Sequence, residues 1–278
     1  MTILFACKKD TTVNYPPATT PPPVVDPPAS DVEGMVTFDS YANGAYNLDD
    51  IKKDFFPVVT SWKTGYTSIV DKTLKVKVPA GSVSNGFYPQ FDVVDGTSYE
   101  LTYDIKFVKD FDWRDGGKLG FGFGIGDVIA GGDPTGGNGG SVRIMWNKTS
   151  SGQVIFKPYL YYTNMGQKYG TNVVSTAFYP KNGVSLKDDT WYTVKMRVKS
   201  NTDFNANGTI QVKINGLEIL NNDKINWGDN AGGKTKGWVK TVMFQTFRGG
   251  QGPQWESSVE NSIFYDNIKI TKDPTGEF

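Results

Sequence analysis

The 278-residue sequence predicts an all-β fold, an antiparallel β-sandwich of the jelly-roll type. Two observations predict it. Apolar and polar residues alternate over many short segments, and these segments are separated by turns rich in Gly, Asn and Asp. No long segment shows the 3.6-residue apolar period of a helix. We expect residues 32–278 to form one such domain, which is within the usual size range of a β-sandwich.

Alternation is clearest in three segments, Leu74–Val78, Tyr192–Lys199 and Ile210–Ile214. The third of these ends at Asn215-Gly216, a pair typical of tight hairpin turns. The segment Asn47–Phe56 is expected to form a short helix. Further strands are predicted at Tyr99–Val108, Ser141–Trp146, Val154–Tyr162, Val239–Phe247 and Ile263–Ile270.

The first 31 residues predict a leader and a tether rather than folded structure. Leu4–Cys7 resembles a bacterial lipobox, in which the cysteine is lipidated after signal cleavage. The apolar run before Cys7 is short for a signal peptide, so we interpret residues 1–7 as a truncated signal. The alternative is a frayed terminus with a free or buried thiol. Residues 8–31 are predicted to be a Pro-rich linker, with seven prolines between Pro16 and Pro28, which favours extended polyproline II or disorder.

This arrangement predicts a lipoprotein of the bacterial outer membrane or cell surface, or one that faces the periplasm. The lipid on Cys7 would be its only membrane contact, because no run of about 18 apolar residues is present. Lys and Arg (29) balance Asp and Glu (29), which argues against a nucleic-acid-binding surface. We expect a monomer.

Composition excludes several chemistries. The chain has no His, so it cannot contain a Ser-His-Asp triad, a Cys-His dyad or a His-based zinc site. Its single Cys excludes an internal disulfide. Any catalytic acid, base or electrostatic stabiliser must therefore come from Tyr, Lys, Arg, Asp or Glu.

A glycine-rich region interrupts the ordinary sandwich composition. Twelve of the 25 residues from Gly116 to Gly140 are glycine, and we expect a flexible loop beside a cleft, with Lys118 near its start. Asp127–Asn138 offers oxygen ligands for Ca²⁺ but lacks the spacing of a calcium loop. We therefore interpret it as a cleft loop. No metal or other cofactor is expected, with Ca²⁺ at these oxygens left open as the alternative.

Two strands after this region carry a set of polar side chains at alternate positions. Ser141 and Arg143 share one face of their strand, and Tyr159 and Tyr161 share one face of theirs. If the two strands are neighbours, a hydroxyl, a guanidinium and two phenols converge on one surface. Lys118 would enter from the glycine-rich side.

This set of side chains suits β-elimination from a uronate polysaccharide. The reaction removes the proton on C5, beside the C6 carboxylate, and expels the sugar linked through O4. Arg and Lys can neutralise the carboxylate, and Ser141 could help to position it. Tyr can serve as base and as acid if adjacent cations lower its pKa from about 10. The order of the two tyrosines in these roles is left open.

The segments GGKL, SVRIMW and PYLYY, followed by FQTFRGG and FYDN, resemble the alginate-lyase-like polysaccharide lyase families 14 and 20. The resemblance implies a concanavalin-like jelly roll that acts on alginate (poly-mannuronate) or glucuronan. Gly120 and Asn147 depart from the Pro and Arg of the family pattern, which affects substrate identity more than reaction class. The catalytic residues that the resemblance implies are Lys118, Ser141, Arg143, Tyr159 and Tyr161.

Three further residues, Gln245, Trp146 and Arg248, are predicted to bind substrate, with Gln245 the better placed to hydrogen-bond a carboxylate. The rival interpretation is a non-catalytic carbohydrate-binding lipoprotein of a glycan-uptake system, in which the tyrosines and Arg143 are ordinary sheet residues. A hydrolase would need two carboxylates about 5–9.5 Å apart, and no paired acidic strand motif is present. A purely adhesive role would predict no glycan affinity.

Overall fold

The computed structural model describes residues 34–132 and 136–278, and it has the predicted all-β sandwich architecture. The predicted signal, the anchor on Cys7 and the Pro-rich linker lie outside the described residues. None of the described helices is long and apolar enough to cross a membrane.

The described residues form seventeen strands and one α-helix, with 3₁₀ turns at Ala231–Gly233 and Pro253–Trp255. In chain order the strands and the helix are β1 (Met35–Val36), β2 (Gly44–Ala45), α1 (Leu48–Asp54), β3 (Val59–Thr60), β4 (Thr67–Val70), β5 (Thr73–Val78), β6 (Gly86–Phe87), β7 (Gln90–Gly96), β8 (Ser98–Phe107), β9 (Gly116–Gly126), β10 (Gly139–Lys148), β11 (Val154–Tyr161), β12 (Trp191–Lys199), β13 (Gly208–Ile214), β14 (Leu217–Ile225), β15 (Val239–Phe244), β16 (Thr246–Phe247) and β17 (Asn261–Lys272).

The strands build two antiparallel sheets. One has nine strands in the order β14-β13-β12-β8-β17-β5-β4-β2, with β1 paired to β17. The other has eight, in the order β11-β10-β9-β15-β7-β3, with β16 pairing to β6 and β9. Each of the predicted strands is present, although the one predicted over Val239–Phe247 is divided at Gln245 into β15 and β16. The second sheet carries the candidate site.

The core lies between the sheets and is rich in aromatic rings. Phe121 and Phe244, both on the second sheet, stack with ring centres 4.1 Å apart. Tyr265 on β17 meets Phe244 edge-on at 5.0 Å. The buried Tyr265 hydroxyl accepts a hydrogen bond from the Gly120 amide at 3.0 Å and is bonded to the Thr246 hydroxyl at 2.8 Å. The phenol therefore has polar partners in the core and ties one sheet to the other.

The helix and the hairpin follow local sequence signals. Asn47 caps α1, because its side chain accepts hydrogen bonds from the amides of Asp49 and Asp50. Asn215 and Gly216 connect β13 to β14 with φ angles of 49° and 77°, which matches the positive φ that a type I′ turn requires at both positions.

The expectation of a loop across the glycine-rich region is wrong for its first part, which is strand β9. Phe121, Phe123 and Ile125 alternate with glycines and are fully buried in the core. The glycines between them face the opposite side. A Cβ atom on Gly122 would lie 2.2 Å from the carbonyl oxygen of Val142 on β10, so the strand needs glycine there to lie this close to its neighbour.

Candidate active site

Strands β9, β10 and β11 lie side by side and form the floor of the site. The predicted neighbours are paired antiparallel, with Ser141 opposite Tyr161 and Arg143 opposite Tyr159. Met145 lies opposite Lys118 on β9 and opposite Lys157 on β11. The convergence expected from the i, i+2 spacing is therefore present.

A cavity of about 680 Å³ lies over this floor. Its wall contains three cationic side chains, and none of the described residues that line it carries a carboxylate. The lining residues with charged, amide or aromatic side chains are Tyr88, Gln90, Lys118, Arg143, Lys157, Tyr159, Tyr161, Tyr169, Gln245, Phe247, Gln251 and Trp255. Such a wall is complementary to an anionic ligand, and it lacks the pair of acids that a glycosidase uses.

Arg143 is 3% exposed and is held from two sides. Its Nη1 donates to Oε1 of Gln245 at 2.9 Å, and its Nη2 donates to Oγ of Ser141 at 3.4 Å. Ser141 is fully buried and in turn donates to the carbonyl oxygen of Ile129 at 2.7 Å. Ser141 is not among the residues that line the cavity, and its contact with the site is through the guanidinium of Arg143.

The two tyrosines form a coupled pair beside Arg143. Their hydroxyls are 3.4 Å apart, and the guanidinium carbon lies 5.5 Å and 5.6 Å from the ring centres of Tyr159 and Tyr161. Gly170 packs against both rings, since a Cβ there would lie 2.7 Å from Tyr159 and 2.9 Å from Tyr161. Only a glycine backbone fits this closely.

The pKa of Tyr159 is raised above its usual value of 10, chiefly by burial and then by the hydrogen bond and charge of Tyr161. Arg143 and the Gly170 amide lower it, but by less. The expectation of a lowered pKa is therefore wrong for Tyr159, because burial outweighs the effect of the adjacent Arg143. In the free protein this phenol is protonated and is suited to give a proton rather than take one.

The pKa of Lys118, in contrast to that of Tyr159, is lowered. Burial, then the charges of Arg143 and Lys157, lowers the pKa of Lys118 from 10.5 to about 8. Its Nζ lies 5.0 Å from the ring centre of Tyr159. Lys118 is on strand β9 and not on a loop, so its backbone is held by the sheet. A lysine with this pKa exchanges its proton near neutral pH, which is what a general base requires.

Two predicted substrate-binding residues are not in the cavity wall, and those predictions are wrong. Trp146 is fully buried in the core, where its indole Nε1 donates to the carbonyl oxygen of Trp113 at 2.9 Å. Arg248 is 1% exposed, and its Nη2 donates to Oδ1 of Asn261 at 2.8 Å. Gln245 does line the cavity, and its contact with substrate stays a prediction.

Lys157 and Tyr88 are cavity residues that sequence reasoning missed, and Trp255 lines the same cavity. For Lys157 a signal was available, because it precedes Tyr159 by two residues and so shares its face. Among the described residues, no group of three or more Cys, Asp or Glu side chains could hold a metal ion.

The fold and the cleft define a jelly-roll protein with a cationic, tyrosine-bearing groove. The chain belongs to the polysaccharide lyase 14 family, whose model matches residues 67–268. It is similar to the solved structure of alginate lyase Aly36B, with a TM-score of 0.80 and 37% identity, over 87% of this chain and 98% of that one. Aly36B variants with a lysine and either a tyrosine or a methionine changed to alanine have been solved with an alginate tetrasaccharide and trisaccharide, respectively.

More distant relatives share the fold. The alginate lyase vAL-1 from Chlorella virus is 22% identical with a TM-score of 0.59, over 77% of this chain and 91% of that one. The PL-14 alginate lyase from Aplysia kurodai is 20% identical with a TM-score of 0.61, over 81% of this chain and 94% of that one. Exolysin of Paramecium bursaria Chlorella virus 1 is 29% identical over 194 residues, 62% of this chain, which spans 29% of the length of exolysin.

Proposed function

We propose that this protein cleaves alginate-type polyuronates by β-elimination. The observation that carries the proposal is a cavity that combines three cations with two tyrosines and has no carboxylate among its described lining residues. Membership of the polysaccharide lyase 14 family supports the reaction class, and the likeness to alginate lyase Aly36B supports the substrate class. No observation favours the non-catalytic carbohydrate-binding alternative.

Arg143 is the group that neutralises the C6 carboxylate. The C5 proton is too weakly acidic to remove while that carboxylate carries its full charge, so a buried, pre-oriented guanidinium lowers the barrier. Gln245 and Ser141 hold Arg143 in place, and neither brings a negative charge that would compete with substrate. The Gln245 amide, which is in the cavity wall, can also donate to the same carboxylate.

Lys118 and Tyr159 carry the proton transfers. Lys118, neutral above a pKa of about 8, takes the C5 proton on Nζ. The C5–H electron pair forms the C4–C5 double bond, and the C4–O4 bond breaks. Tyr159, whose pKa is raised, gives its proton to O4, and the charge of Arg143 beside it favours the resulting phenolate. The proton on Lys118 then returns to Tyr159 through solvent.

The reaction class is tested by incubating the protein with poly-mannuronate, poly-guluronate and glucuronan. The unsaturated uronate end formed by elimination absorbs in the ultraviolet, and hydrolysis leaves no such end. We expect absorbance to increase with the alginate polymers. No increase with any of the three substrates would refute the lyase proposal, and glycan binding without product would favour the carbohydrate-binding alternative.

We further propose that the enzyme works at a bacterial cell surface or facing the periplasm, held by a lipid on Cys7 and a Pro-rich tether. The support is the lipobox-like Leu4–Cys7 and the seven prolines that follow it. Metabolic labelling with a palmitate analogue tests this proposal. Label in the wild type and none in Cys7→Ala is expected, and equal label in both would contradict the anchor.

A further inference from the structure

Lys157 is a cation in the cleft that takes no direct part in the elimination. Its charge helps to lower the pKa of Lys118, but it neither neutralises the reacting carboxylate nor transfers a proton. It lies on β11, the outermost strand of its sheet, and shares a face with Tyr159 and Tyr161. Its side chain lines the cavity. Among the described residues it has no ion-pair partner, whereas Lys106, Lys195, Lys236 and Lys240 each lie within 3.3 Å of a carboxylate oxygen.

A partly buried ammonium group without an ion-pair partner costs free energy of folding. Burial lowers the pKa of Lys157, because the charged form loses hydration without gaining a counter-ion. The charge of Lys157 is also one of the causes that lower the pKa of Lys118, so the two ammonium groups repel each other. An anion that enters the cleft would relieve both penalties, and Arg143 is already positioned for the carboxylate of the reacting sugar.

The geometry points to the next sugar along the chain. Lys157 lies two positions before Tyr159 on β11, so their backbones are roughly 7 Å apart along the strand. Lys157 and Lys118 both lie opposite Met145, so their backbones are two strand spacings apart, roughly 10 Å across the sheet. Both offsets exceed the span of a single hexose ring, so Lys157 lies beyond the reacting sugar. Because every unit of a polyuronate carries a carboxylate, the units that follow the reacting sugar bring further carboxylates to this part of the cleft.

We propose that Lys157 binds the carboxylate of the uronate next to the one that loses its C5 proton. Lys157 is then a specificity-determining residue that selects a run of uronates over an isolated uronate in a neutral glycan. The proposal rests on the proposed lyase function. Trp255 lines the same cavity and gives it an aromatic side chain against which a sugar ring can pack.

The test compares Lys157→Gln and Lys157→Arg with the wild type on poly-mannuronate. A hydrogen bond to a charged group contributes enough that Lys157→Gln should lower kcat/KM by roughly 10-fold or more. The rates are compared well above pH 8, where Lys118 is largely neutral in both proteins. There we expect the change to fall on KM, with kcat at saturating polymer within threefold of wild type. Lys157→Arg keeps the charge and should recover most of the loss. Lys199→Gln, on an exposed position of the other sheet, is the matched control and should leave KM unchanged.

A second measurement separates this inference from the lyase proposal. Calorimetric titration of a tetra-mannuronate into wild type and Lys157→Gln needs no turnover, and we expect the variant to bind at least tenfold more weakly. An active wild type with equal KM and equal affinity in Lys157→Gln would overturn the role of Lys157 and leave the lyase function intact. If the wild type is inactive, the titration alone decides, and equal affinities again refute the subsite. Unchanged melting temperatures exclude misfolding as the cause.

Discussion

The pH dependence of the reaction follows from the site of Lys118. As the base, this amine must be neutral, and its pKa is lowered to about 8 by burial and by the charges of Arg143 and Lys157. With that value, about one tenth of the free enzyme is competent at pH 7 and about nine tenths at pH 9. Initial rates at low polymer concentration, followed by ultraviolet absorbance, should therefore give a kcat/KM that rises roughly tenfold across this range.

The variant Lys118→Arg isolates the proton transfer from the charge. Arginine stays protonated over the whole range, so it can attract the carboxylate but cannot accept the C5 proton. We expect a loss of roughly 10²- to 10⁴-fold in kcat with folding intact, which is the usual contribution of a general base. A surface exchange, Lys199→Arg, provides the control for the chemistry of the substitution itself.

The opposite result would refute this assignment. If Lys118 acts as a cation that neutralises the carboxylate, kcat/KM must fall as pH rises through about 8, because the charge is lost there. Lys118→Arg would then retain most activity and remain active at higher pH. Either observation would return the base role to a tyrosine.

The other predictions concern the acid, the two tryptophans and the floor of the cleft. Tyr159→Phe should lower kcat by 10²-fold or more with an unchanged melting temperature, and retained turnover would exclude this hydroxyl as the acid. Trp146→Ala removes a fully buried ring, so the free energy of unfolding should fall by about 3–5 kcal/mol in a denaturant titration. Trp255→Ala should instead raise KM with little loss of stability, and the reverse pattern in this pair would contradict the core and cleft assignments. Gly122→Ala places a methyl group 2.2 Å from the Val142 carbonyl oxygen, so both stability and kcat should fall, and a neutral effect would show that β9 and β10 can separate without cost.

The sheet strands and the frame of the site could be predicted because both depend on a period of two. Alternation identified the long strands, and the same rule placed Arg143 beside Tyr159 once their strands were paired. The same alternation predicts that Trp146 is a core residue. Trp146 lies on the same strand face as the buried Val142 and Ile144, and Arg143 lies on the other face. Applied to every residue of β10 and β11, the alternation of side chains between the two strand faces places Trp146 in the core and Lys157 in the cleft.

The remaining errors have causes that no local pattern contains. A glycine-rich sequence predicts a loop at β9, because glycine is common in loops. In this protein the glycines instead allow β9 to lie close to β10. The pKa of Tyr159 depends on how deeply its ring is buried, and burial opposes the effect of the neighbouring Arg143. The sequence shows which charges are near in the chain, but the balance between desolvation and charge is decided only by the folded cleft.

The two faces of strands β9 to β11 have different roles: one face packs in the core and the other forms the floor of the cleft. Toward the core, β9 presents Phe121, Phe123 and Ile125, which are fully buried and stabilise the sandwich through apolar contact. Toward the cleft the same floor carries cations that have no acidic partner in the part of the chain that the structure describes, an arrangement that costs folding free energy until a polyanion enters. An acidic partner would remove that cost, but it would occupy the guanidinium that the substrate carboxylate needs and would raise the pKa of the base. The cleft therefore stays able to bind and react with a polyanion because its cations are not neutralised by the protein. The aromatic core offsets the resulting loss of folding free energy.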